Sequence, residues 1–223
     1  MTRSQFLQRL GVLAGSLFAS RQQMFSSWRM VPETQERLTR VREIIASYAQ
    51  ERTTLIRSVR NGRKYRRNPY RHYPWQGGIY DTTTGYRIFF HAHRRKEFGH
   101  FHTFAENADG DPIHLVMISM TPTGEPTMLA TLNGWVTDDV NLPGEELKKY
   151  LVNFSMDRSL FTDPRIIEFI TEILKGYQDT IFELFDERDA WVAQYRAEHG
   201  EDLDPFEDDT EVLSYRKIDV QNG

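Results

Sequence analysis

Residues 86–105 read YRIFFHAHRRKEFGHFHTFA, and this stretch decides what kind of fold the chain can adopt. On either side of residues 94–99 the side chains alternate with a period of two, as in two antiparallel strands joined by a short connection. Ile88, Phe90, Ala92, Phe101 and Ala105 fall on one side, and His91, His93, His100 and His102 on the other. A ladder symmetric about residues 94–99 sets His93 opposite His100 and His91 opposite His102, with Phe89 facing Phe104 beyond them. Cross-strand Cβ atoms lie about 5 Å apart, so four imidazoles in such a square can converge on one ion at nitrogen distances of about 2.0 to 2.1 Å. His114 becomes a fifth member if the next strand pairs so as to bring it beside His102.

Outward from the hairpin the strand pattern continues. Residues 113–120 (IHLVMISM) and 127–133 (TMLATLN) are separated by turn residues at Asn107 to Gly110 and Pro122 to Gly124. An antiparallel meander of four or more strands follows, able to curl towards a barrel. Before it, Leu38, Val41, Ile45, Tyr48, Leu55 and Val59 recur at helical spacing up to the Asn61-Gly62 break. After it come a short helix over residues 143–154 and one long C-terminal helix opening at Pro164, with Ile166, Ile170, Ile173, Tyr177, Ile181 and Leu184 on its stripe. A last strand is expected over residues 212–220. The fold class is therefore α+β, an antiparallel sheet packed by N-terminal helices and a long C-terminal helix. The division runs between an N-terminal helical segment, 1–62, and an α+β domain carrying the His-rich hairpin, 63–223, the two forming one compact unit.

Composition narrows the chemistry. Of 223 residues, 39% are hydrophobic and 27% charged, which suits a packed core and excludes a disordered chain. A net charge of −4 argues against a dedicated nucleic-acid binder. With no cysteine there is no thiolate metal site, iron–sulfur cluster or cysteine nucleophile, so His, Asp and Glu are the strong metal ligands left. No run reaches the roughly 18 apolar residues of a membrane span. Leu10 to Ala19, behind Arg3 and Arg9, has the length of a signal-peptide core. The same residues, with Phe6, also make an amphipathic docking helix. The docking reading is preferred and carries a cytoplasmic location, with export through an atypical signal as its alternative.

Five of the seven histidines lie between His91 and His114, too dense a set to be charged together in a semi-buried sheet. Neutral rings around a divalent transition metal, Fe, Zn, Mn, Cu or Ni, is the economical reading. Glu97 is the candidate catalytic carboxylate, or the third member of a two-histidine, one-carboxylate set suited to ferrous iron and dioxygen. Three or four histidines suit zinc, copper or nickel instead. Arg94 and Arg95 form a cationic rim for a small anionic substrate, and Trp135 leaves the fourth strand near the same end. Residues Arg63 to Gly78 are read as an ordered, aromatic-anchored loop, and the basic, aromatic run Arg57 to Trp75 as solvated or turned towards the acidic run Glu198 to Glu211.

Gly85, His91, His93 and Glu97 together resemble the first motif of the cupin family, in which two histidines and a glutamate on a small β-barrel hold a metal. No histidine follows Pro143-Gly144, where the second cupin motif would need one. Tyr80-Asp81, His91 to Arg94, Glu97 to Phe104 and Asn133 to Thr137 are similar to an uncharacterised bacterial family marked by H-A-H-R, E-x-G-H-F-H-x-F and N-x-W-V-T. That resemblance implies no particular activity. The functional expectation is a metal-binding protein working as a metal-dependent enzyme, hydrolytic or oxidative through ferrous iron. The competing expectation is a non-catalytic binding or assembly subunit with a structural histidine cluster, meeting a protein partner or its own copies through the helices.

Overall fold

A computed structural model of the protein describes residues 33–95, 97–200 and 202–221. Helix α1 covers residues 33–50 and α2 runs over Leu55–Val59, capped by the Thr54 side chain, which accepts from the Arg57 amide. Strands β1 (Asn68–Tyr73), β2 (Ile79–Asp81), β3 (Tyr86–Ala92), β4 (Gly99–Glu106), β5 (Pro112–Met120) and β6 (Pro126–Leu132) follow. Then come α3 (Gly134–Thr137), α4 (Gly144–Val152), α5 (Arg165–Gly176), α6 (Gln178–His199) and β7 (Val212–Lys217). The seven strands form one antiparallel sheet ordered β1-β3-β4-β5-β6-β7, with β2 pairing β3 beside β1.

The architecture is α+β with helices packed on the sheet, as expected. The sheet does not curl into a barrel: it stays open between β1 and β7. Strand β1 is suited to an edge, since Pro69 has no amide to donate outward and the register shifts between Asn68 and Tyr73. This strand lies within the stretch expected to be a loop. The single long C-terminal helix is two helices, broken at Tyr177 (φ −110, ψ 23). Gly176, a weak helix former, immediately precedes the break. A Cβ there would stand 2.9 Å from the tip of the Leu38 side chain, so the glycine eases the close packing of α1 on the end of α5. The signal-or-docking question at residues 6–19 lies outside the described residues.

The helix-facing side of the hairpin is the set read from the alternation. Ile88, Phe90, Phe101 and Ala105 join Val41, Ile44, Tyr48 and the fully buried Ile166, Ile170 and Ile173 in one core. Helices α1, α2 and α5 are tied together by Asp163, whose carboxylate accepts from Tyr48 Oη (2.8 Å), Ser58 Oγ (2.6 Å) and Arg165 Nε (2.9 Å). Replacing Asp163 with Ala leaves the buried Tyr48 hydroxyl without that acceptor, so a loss of about 3 kcal/mol is expected in chemical denaturation. Wild-type stability in the Asp163→Ala variant would contradict the bracing role.

The register of the hairpin differs from the symmetric one by two residues. His91 pairs with His100, Phe89 with His102 and Arg87 with Phe104. A slip of two preserves the parity of a strand, so every residue stays on its expected face while its partner changes. His93 consequently falls beyond the end of β3 instead of opposite His100. The β4–β5 ladder carries a bulge: Thr103 pairs with Val116 but Phe104 with His114, which leaves Leu115 as the extra residue. Met117 and His114 therefore share the histidine face although three positions separate them, and Leu115 and Val116 both enter the main core.

Candidate metal centre

Three imidazoles meet on the sheet face opposite the main core. His91 Nε2 lies 2.6 Å from His100 Nε2 and 2.9 Å from His102 Nε2. All three side chains are buried, and one ligand atom from each lies within 4.8 Å of the others. Strands β3 and β4 set this geometry, because His91 and His100 are direct cross-strand partners and His102 follows two residues along β4.

Hydrogen bonds on the outer nitrogens decide what the inner ones present. His91 Nδ1 lies 3.1 Å from the Pro69 carbonyl oxygen, which can only accept, so Nδ1 carries the proton and Nε2 is a bare lone pair. His100 Nδ1 meets the Glu97 carboxylate, which fixes the same tautomer in the neutral ring. His102 Nδ1 lies 3.0 Å from His114 Nε2, the arrangement that lets His102 donate outward and turn its own Nε2 lone pair inward. Carboxylate or carbonyl groups behind the ligating histidine are the usual way a protein orients imidazoles on a metal. Bonds of 2.0 to 2.1 Å to a tetrahedral ion place ligand nitrogens about 3.3 Å apart, so the rings need to open by about half an ångström to accept one.

The electrostatics favour neutral rings at His91, His102 and His114. Burial, then the neighbouring His100 and His93, pushes His91 down to about 2. Burial likewise holds His102 well below the ordinary histidine range and, with the Arg188 charge, takes His114 down to about 3. Burial alone would raise Glu97, but its hydrogen bond to His100 and the charges of His100 and Arg94 outweigh this and keep it ionised below the usual carboxylate range. Gly99 permits the tight approach of this corner, since a Cβ there would stand 2.4 Å from the Phe90 ring and 2.8 Å from the His91 carbonyl.

The five predicted histidines thus divide. His91, His100 and His102 form the trio; His114 stands behind His102; His93 lies beside it, its ring centroid 4.8 Å from His91 and 5.1 Å from His100. Glu97 occupies the outer side of His100 instead of the inner side of the cluster. Arg94 is held between Glu97 (3.8 Å) and Glu211 (3.6 Å), and its Nη1 approaches Met117 Sδ at 3.5 Å. Arg95 borders a shallow depression with Arg67 and Thr121, away from the trio. Trp135 is 49% exposed at the start of α3. The arginines of the basic stretch meet backbone carbonyls: Arg63 donates to the carbonyls of His72 and Pro74, and Arg67 to those of Arg94 and Glu97.

A cleft of about 350 Å³ opens beside the trio, with His91 and His102 in its wall together with Phe89, Phe104, Arg87 and His72. Arg87 and Phe89 were legible as alternate residues running up to His91. His72 carried no such signal, because its strand was hidden in an aperiodic stretch; its ring stacks on Phe89 with centroids 3.9 Å apart.

Glu97→Gln keeps the shape but loses the charge behind His100. A fall in metal affinity of about 10- to 100-fold is expected from competition with a chelator, and unchanged affinity would deny Glu97 its orienting part. Among the described residues no helix is long and apolar enough to cross a membrane. No curated protein and no solved structure matches the chain. A family model described as a domain of unknown function (DUF6969) matches residues 35–218, a span that takes in every strand of the sheet and the whole histidine cluster, and the chain belongs to that family.

Proposed function

We propose that the protein binds one divalent transition metal through His91, His100 and His102 and works as a metal-dependent enzyme on a small molecule held in the adjoining cleft. The observation that carries this reading is the single lone pair of His91 Nε2, faced by two other imidazole nitrogens at 2.6 and 2.9 Å. Without a cation, the contacts require His100 to be a buried imidazolium and two N–H groups to compete for one acceptor, or else lone pairs to point at one another. A cation at the centre satisfies all three nitrogens at once. Ligands drawn only from neutral imidazoles suit Zn, Cu, Ni or Fe more than Mg or Ca, with Mn the least favoured of the transition metals considered. Such an ion supplies a Lewis acid for hydrolysis or open positions for dioxygen. The chain's part is to hold the three rings, to orient them through Pro69, Glu97 and His114, and to line the approach with Phe89 and Phe104.

The test is uptake of cobalt(II) by the untagged, chelator-stripped protein under anaerobic conditions, followed by visible absorption and competition with zinc. One equivalent, with a spectrum of nitrogen ligation that shifts when small anions are added, is the expected result. Absence of stoichiometric uptake of cobalt, zinc or iron would overturn the proposal and leave the histidines as a structural element of an assembly subunit.

A further inference from the structure

The cleft beside the trio has a composition that selects its occupant, an inference that rests on the metal reading at one end only. Along the histidine face β3 presents Arg87, Phe89 and His91 at alternate positions, opposite Phe104, His102 and His100 of β4. The cleft is therefore graded along one axis, with a guanidinium at one end, rings in the middle and imidazole nitrogens at the other. Four strand residues span about 13 Å, and the length of the arginine side chain shortens the gap that a ligand must bridge.

The middle section favours a flat body. Phe89 and Phe104 lie with centroids 5.6 Å apart and planes 24° from parallel, and His72 extends the stack on Phe89. The far end favours an anion. Arg87 lies over the Tyr80 ring, 4.6 Å from its centroid, with no carboxylate in ion-pair reach among the described residues. The acid of the wall, Glu106, accepts from the Tyr80 hydroxyl at 2.8 Å. A guanidinium so placed keeps its planar fork for a carboxylate. At about 350 Å³ the cleft is at the small end of ligand sites, which suits one ring with short substituents. We infer that the cleft binds a small aromatic carboxylate, with its carboxylate on Arg87, its ring along Phe89 and Phe104, and any polar substituent directed at His91 and His102.

The probes are benzoate and its neutral analogue benzamide, titrated by calorimetry into the metal-free and the cobalt-loaded full-length protein. Wild type is compared with Arg87→Gln and with Arg87→Lys, which keeps the charge and loses the fork. Benzoate is expected to bind wild type at least about ten-fold more tightly than benzamide. Arg87→Gln should lower benzoate affinity by about 10- to 100-fold and Arg87→Lys by less, with benzamide binding and cobalt uptake unchanged in both. Equal binding of the two probes, benzoate binding undiminished in Arg87→Gln, or no benzoate binding at millimolar concentration would overturn the assignment. Arg87-dependent benzoate binding by a protein that takes up no metal would uphold the cleft and refute the metal reading. Metal uptake without benzoate binding would refute the cleft alone.

Discussion

Removing the imidazole of His91 or of His102 is expected to weaken metal binding by about 10²- to 10⁴-fold. Zinc bound by three or four protein ligands is worth roughly 10 to 16 kcal/mol, so loss of one ligand in three removes about 3 to 5 kcal/mol of it. The double variant His91→Ala/His102→Ala leaves one ligand and should emerge from purification free of metal by plasma mass spectrometry. His93→Ala, whose ring lies beside the trio and not within it, should change affinity by less than about ten-fold. That contrast separates a defined site from general attraction of cations to a histidine-rich surface. Comparable losses in all these variants would contradict the three-ligand assignment, and metal retained by the double variant would place the ion elsewhere.

Mild acid is expected to unfold the metal-free protein well above the pH at which its carboxylates titrate. His91 and His114 are depressed in the folded state to about 2 and about 3 by burial, and His102 lies well below the ordinary range. In the unfolded chain each returns to about 6.5. Between about pH 6.5 and pH 3 the unfolded state therefore binds more protons, and stability falls as pH falls through that window; above pH 6.5 the three rings contribute no pH dependence. Below pH 6.5 His91 and His114 each contribute about 1.4 kcal/mol per pH unit, so the step from pH 7 to pH 5 costs about 4 kcal/mol for the pair, with His102 acting in the same direction, a sizeable part of the whole stability of many domains. Bound metal should shift the acid midpoint downward, since it favours the folded state and excludes protons from the same nitrogens. Urea titrations at stepped pH would measure the slope. A metal-free protein equally stable at pH 7 and pH 5 would show that these rings are not held neutral.

Much of this was legible in the residues. Alternation in residues 86–105 gave the hairpin, its apolar face and the congregation of histidines, because side-chain parity is a local property that needs no knowledge of the partner strand. Pairing is not local. The symmetric register failed by two residues because Gly99 opens β4 earlier than the turn pattern implied and lets Phe90 and His91 close over it. The same slip leaves His93 at the chain end of β3 instead of opposite His100, and Glu97 stands at the outer nitrogen of His100. The cationic rim was sought in the connection, at Arg94 and Arg95, while the cation that borders the cleft is Arg87, four residues before His91 on the same face. Open sheet or barrel was undecidable from strand pattern alone, since both have the same alternation and differ only in whether the first and last strands meet.

The extra residue in β5 has a consequence for how this site can change over generations. Leu115 acts as a phase shifter: strand β5 obeys one parity from Val116 onward and the opposite parity before it. Straightening the bulge at unchanged chain length would turn Leu115 towards the cleft and His114 in among the helices, whereas deleting Leu115 would let the ladder run on regularly, with His114 still opposite Phe104 on the histidine face. Strand β5 is therefore a place where a single-residue deletion can be absorbed without moving the brace behind His102, a tolerance usually confined to loops.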